Sequence, residues 1–347
     1  MKYQYHLEKH SYTKLIWEGF LKRSVFELCR TMQMLYITSD TLIHSAELLG
    51  GQASDSIMIT FVDRLDLEKF LKDLKPASSE EHFYLYIYTM IILMTVNNQK
   101  EISEDYYFRI KNLLSENMSL FSNVDLYDIL KSLRAYTITR MHLHRKQFID
   151  ELFETDKKLV EGVQFSKNRL SWYIGEIYTE IVLLAAHKKE YEYAENFIEK
   201  YRNMLNTDIC DYEYNWNKAF LSLEFGHIEN SIVLLSVVKP VNPITKIATK
   251  ILYLRAYYEL GHFEEGFSIL DAFKHFVNKE NKFSPAKRKY YNDHHSLFLR
   301  MYKFRLEPRK FTGLDLKKLR DDVNKFYFIA GSDWYNKKID ELKHMIK

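Results

Sequence analysis

Leu221-Ser-Leu-Glu-Phe-Gly226-His-Ile-Glu-Asn-Ser-Ile232 and Ala256-Tyr-Tyr-Glu-Leu-Gly261-His-Phe-Glu-Glu-Gly-Phe267 align residue for residue, and their glycines stand 35 positions apart. A third copy, Leu184-Ala-Ala-His-Lys-Lys189-Glu-Tyr191-Glu-Tyr-Ala194, puts Lys189 at the turn, 37 positions before Gly226. A repeat of this length, with a turn between two apolar-periodic runs, marks a helix pair that recurs along the chain. Each part has a physical reason. The turn residue ends the first helix in the left-handed conformation, which glycine adopts without strain. The aromatic ring just after the turn plugs the gap between the helices. The small residue that follows (Ala194, Ser231, Gly266) lies where the second helix crosses the first closely.

Composition agrees with helices. Among 347 residues there are only 10 Gly and 5 Pro, too few for the frequent turns that a strand-rich fold requires. Tyr (26) and Phe (23) are abundant and read as interhelical filling. With 46% hydrophobic and 28% charged residues the chain is globular, and it needs no disulfide or metal staple. Helices are expected at about 11–35, 38–50, 55–74, 79–97, 102–119, 123–143, 145–161, 166–187, 190–205, 208–225, 228–238, 244–260, 263–279, 285–306, 314–330 and 333–346. Starts are marked by a capping box at Ser78-x-x-Glu81 and by Ser284 ahead of Pro285. Two segments, 57–62 and 232–238, compete for strand but continue into helical periodicity. Gly19, Gly175 and Gly266 fall inside helical runs, where a small residue lets helices approach.

The block between residues 170 and 280 resembles tetratricopeptide repeats, although its copies lack that family's Trp and Gly in the first helix. The run Arg255–Phe276, a second long aromatic helix, and the closing Trp334-Tyr-x-x-Lys-Lys-Ile-x-x-Leu342 are together similar to a group of Bacteroidetes proteins of tetratricopeptide-like type that brings no activity with it. The likeness covers about the last two-thirds of the chain. It implies an all-α fold, a right-handed superhelix of antiparallel helix pairs, that is, a tetratricopeptide-like α-solenoid. Three regions are expected: residues 1–75 as degenerate repeats or a cap, 76–280 as repeat pairs, and 281–347 as a basic helix pair with a capping helix. Each pair would hide its apolar face only against its neighbours. In the last helix, Trp334 and Ile339 lie on one side, and Lys337, Lys338, Asp340 and Lys343 form the polar face.

In this family the first helices of successive pairs line a concave groove. The resemblance carries those inner positions onto Glu213, Trp216, Phe220 and Glu224 of one pair and Arg255, Tyr258 and Glu259 of the next, with Thr179 and Leu183 in the pair before. Aromatic anchors beside an arginine are the residue types that dominate binding energy. Packing of Trp216 and Phe220 against the next pair is the other reading. The Lys and Asn of the family's chaperone-tail clamp are absent.

No pattern for a P-loop, dinucleotide fold, nucleophile elbow or CxxC site occurs. His6 and His10 have helical i,i+4 spacing but no third ligand. His142 and His144 point apart on a helix. Asp293-His294-His295 has no nucleophile beside it. Cys29 and Cys210 read as reduced thiols without ligand spacing. No catalytic, cofactor or metal site is therefore expected, and the chain is not expected to be an enzyme. An atypical helical enzyme is the remotest alternative.

The charge is nearly balanced, at +3, but residues 282–347 hold 17 Lys/Arg against 8 Asp/Glu. Nucleic-acid binding through that basic end (Lys287, Arg288, Lys289, Arg300, Lys303 and onward) is the second functional reading. The start, MKYQYHLEKHSY, has no apolar signal core, and the apolar run 83–96 is too short to span a bilayer. A soluble, cytoplasmic scaffold binding a protein or peptide partner along the concave face is the leading expectation, with no membrane association.

Overall fold

A computed structural model describes residues 23–24, 27–28, 30–31, 64–74, 80–97, 100–143, 147–163, 167–325 and 332–345. Among them every regular element is helical and none is a strand. The helices are α1 (Leu67–Asp73), α2 (Glu80–Val96), α3 (Ile102–Asn117), α4 (Asn123–His142), α5 (Gln147–Gly162), α6 (Lys167–His187), α7 (Tyr191–Tyr201), α8 (Thr207–Glu224), α9 (Ile228–Ser236), α10 (Pro243–Leu260), α11 (Phe263–Lys279), α12 (Pro285–Leu306), α13 (Gly313–Lys325) and α14 (Ser332–Lys343). The segment 232–238 is helical as far as Ser236, whereas 57–62, the Ser78 cap, Cys29, and the His6/His10 pair lie outside the described residues.

The chain packs as two units, 1–140 and 141–347. In the first unit, α2 carries the apolar run and is buried nearly all round, with Ile87, Tyr88, Met90, Ile91 and Met94 fully enclosed. It packs between α1 and α3. Helix α4 is tied to α3 by the Ser103–Tyr136 hydroxyl pair (2.6 Å), stacked Tyr107 and Tyr136 rings, and the buried Arg140–Glu104 ion pair.

In the second unit successive helices pack as neighbours. Each of α5 to α13 packs on the next, and α6, α8 and α10 also pack on one another in series. The three aligned turns are built identically. Lys189, Gly226 and Gly261 are the left-handed residues among those described, at φ of 63°, 80° and 73°. In each, the turn residue's N–H donates three positions back, to Ala186, Leu223 or Tyr258. The next N–H donates five back, to Ala185, Ser222 or Tyr257. This closure satisfies carbonyls that a helix end otherwise leaves open.

The small residues after the turns are all buried, but they do not share one neighbour. Ser231 makes the close crossing expected of it, its hydroxyl donating to the Ala219 carbonyl of α8 at 2.8 Å. Gly266 instead faces forward: a Cβ there would stand 2.1 Å from the Tyr302 ring of α12.

Capping fixes the helix starts. Asn242 and Thr245 form a reciprocal capping box ahead of Pro243, and Ser284 accepts the Lys287 N–H ahead of Pro285. The core of the C-terminal part runs through α10 to α14, from Ile247 and Tyr258 to Tyr335, Ile339 and Leu342. Lys338 departs from the reading of α14 as a helix with its lysines outward. It is only 7% exposed and points in with Tyr335 and Ile339, because a carboxylate of α10 awaits it. No described helix is long and apolar enough to cross a membrane.

Candidate functional site on helices α6, α8 and α10

Helices α6, α8 and α10 present the positions taken over from the repeat pattern, and the structure joins them into one ladder. At its start, Glu213 on α8 accepts hydrogen bonds from Thr179 on α6 and from Asn217. Burial pushes the Glu213 carboxyl above its ordinary range, and these two donors pull it partly back. One turn on, Trp216 is 7% exposed and lies parallel to the Phe220 ring, with centroids 5.9 Å apart. Its buried indole N–H has no hydrogen-bond partner among the described residues.

The Arg255 guanidinium sits 5.9 Å from the centre of Phe220 and donates to Glu224 at 2.6 Å. The pair links α10 to α8 through a nearly enclosed arginine. Tyr258 is buried edge-on against Tyr302, with Arg305 4.8 Å over its ring. Glu259, one residue further, is half-buried.

The chain itself covers the α10 part of this face with its last helix. The Trp334 indole donates to Glu259 Oε1 at 2.6 Å, and the Lys338 ammonium lies 2.8 Å from Oε2. Trp334 also stands edge-on to Tyr258, 5.5 Å between centroids, and 5.0 Å from the Arg255 guanidinium. Nearer the helix start, Asp333 Oδ2 is 3.8 Å from His187 Nδ1 at the end of α6. Tyr335 reaches α12, its hydroxyl 2.7 Å from His294 Nε2. Arg255, Tyr258 and Glu259 therefore meet a helix of the same chain, while Thr179, Leu183, Glu213 and Glu224 keep partial exposure.

Sequence reasoning missed Trp334 and Lys338 as contacts of the α10 positions. Their spacing was the available signal: an indole and an ammonium at i and i+4 form one stripe, and a stripe that includes a lysine needs an acidic partner.

The other candidates take structural places. Both His294 and His295 are buried. Burial pushes the His294 imidazole down to about 3 and lowers His295 as well. Among the described residues, no group of three or more His, Cys, Asp or Glu could hold a metal ion. Cys210 is a half-buried free thiol whose nearest hydrogen-bond partner is the Arg202 carbonyl.

Much of the basic end is engaged within the fold. Arg288 donates to the last carbonyls of α11, at Val277, Asn278 and Glu280. Arg300 pairs with Asp322, Lys310 with Glu307 and Arg320 with Asp340. Lys287, Lys303, Lys317 and Lys318 remain exposed.

No protein family matches the chain, and neither a curated protein nor a solved structure shows similarity to it.

Proposed function

We propose that this protein is a non-enzymatic scaffold that takes a partner protein as an amphipathic helix laid on the inner face of α6, α8 and α10. The observation behind this reading is α14 itself. A helix bearing an indole and, one turn later, an ammonium docks on Glu259 and the Arg255–Tyr258 platform. Docking of one such helix in cis supports helix-in-groove recognition as the mode by which this face would take a partner. The continuation of that face, from Glu224 back to Thr179 and Leu183, keeps partly exposed side chains. In this reading the pairs form the right-handed superhelix of tetratricopeptide-like arrays, and the inner side is its concave surface.

The test is site-specific photo-crosslinking with the full chain in cells of its source. A crosslinking residue replaces Leu183 on the inner face, or exposed Glu264 on α11 as a control. The expected result is a defined protein adduct from position 183 and none from 264, with a higher yield when W334A and K338A loosen the last helix. Equal adducts from both positions in normally folded protein, or none from 183 in the loosened variant, would sink the proposal.

A further inference from the structure

A cleft of about 630 Å³ opens between the end of α9, the first half of α10 and the second half of α11. It is on the side of α10 opposite to Arg255 and Glu259, because Lys246, Lys250 and Tyr253 fall about half a turn away from them on the helix. Its size is within the roughly 300–1,000 Å³ of small-molecule sites.

The lining is one-sided in charge. Lys246, Lys250 and Lys279 contribute to it, and no Asp or Glu does. Neither Lys250 nor Lys279 has an ion-pair partner among the described residues. Lys246 instead hangs 5.6 Å from the centre of the Phe276 ring. Because α10 and α11 run antiparallel, the lining sorts along the cleft. Lys246, Phe276 and Lys279 mark one end, Tyr253 and Ile269 the other, and Lys250 lies between.

Lys250 is half-buried, and loss of solvent alone lowers its ammonium below the ordinary lysine range. A lysine withdrawn from water without a counter-charge costs stability unless an anion meets it. The surplus of positive charge and the apolar wall together define the complement: an anionic head joined to an apolar body.

We propose that this cleft binds a small amphiphilic anion, a carboxylate or phosphate ester, with its head on Lys250 and Lys246 and its apolar body along Tyr253 and Ile269. No covalent step is involved, and Lys250 stays protonated to hold the head group.

Isothermal titration of the full chain with dodecanoate and with dodecyl phosphate, both below their micelle concentrations, tests this. Dodecyltrimethylammonium is the control of opposite charge. One saturable site per chain for at least one anion is expected, and whichever of the two binds more tightly identifies the head group. The K250Q and K246Q variants should each weaken it ten-fold or more with unchanged melting curves. Lys246 sits near the rim, so its variant keeps the test valid if K250Q misfolds. The proposal is overturned by no saturable binding of either anion, by equal affinity for the cationic amphiphile, or by wild-type affinity in both variants.

Discussion

Adding one methyl group at each of two glycines should move stability in opposite directions. Gly175 and Gly266 both lie inside helices, α6 and α11, and both belong to the unit 141–347. At Gly175 a Cβ would meet nothing within 4 Å. Gly175→Ala therefore gains only the helix preference of alanine, about 0.5–1 kcal/mol. At Gly266 the same atom would stand 2.1 Å from Tyr302 Cε1 and 2.6 Å from both Cζ and Oη. Tyr302 cannot swing clear. Its ring is fully buried against Tyr258, Phe263 and Phe267, and its hydroxyl donates to the Leu254 carbonyl at 2.6 Å.

Overpacking of this kind costs about 1–3 kcal/mol. Loss of the Tyr302 hydrogen bond adds about 1 kcal/mol. Set against the alanine gain, Gly266→Ala should destabilise by about 1–3 kcal/mol. Urea unfolding of wild type and the two variants, followed by circular dichroism, measures both shifts in one cooperative unit. Shifts of the same sign, or a Gly266→Ala variant as stable as wild type, would refute the close packing of α11 on α12.

Acid should loosen the joint between α12 and the last helix. His294 is enclosed, faces the Tyr335 hydroxyl from α14 and Tyr290 on its own helix, and has its proton affinity lowered to about 3 by burial. Between that value and the unfolded histidine value of about 6.5, the unfolded chain holds a proton that the folded one lacks. Stability therefore falls as pH drops, by up to about 1.4 kcal/mol per unit, or about 2 kcal/mol from pH 6.5 to 4.5. Thermal melts at pH 7 and pH 5 should separate wild type from H294Q, which loses less on acidification; an identical loss in both would show that His294 is not the group responsible. Lys189 adopts the left-handed conformation at φ 63°, where a side chain is strained by about 1 kcal/mol. Lys189→Gly should raise the denaturation midpoint, and a lowered midpoint would count against the equivalence of this turn with those at Gly226 and Gly261.

What was legible in the amino-acid order is local. Helices α8 to α12 begin and end within about two residues of the runs read from periodicity. Capping at Ser284 and turn closure at Gly226 and Gly261 are settled by hydrogen bonds among residues at most five apart. The equivalence of Lys189 with the turn glycines was also readable, because the flanking residues repeat around it. The positions that the repeat resemblance carries over fall on α8 and α10.

Tertiary structure decided which distant side chains meet. Trp334 finds Glu259 across 75 positions, and Lys338 turns inward to the same carboxylate. Gly266 serves Tyr302 of the following helix rather than only the helix before it, and Arg288 is spent on the end of α11. Periodicity tells which stripe of a helix is buried but not against what. That choice follows from the summed packing of several helices at once, where a lysine reads as solvated until the chain brings a carboxylate to it.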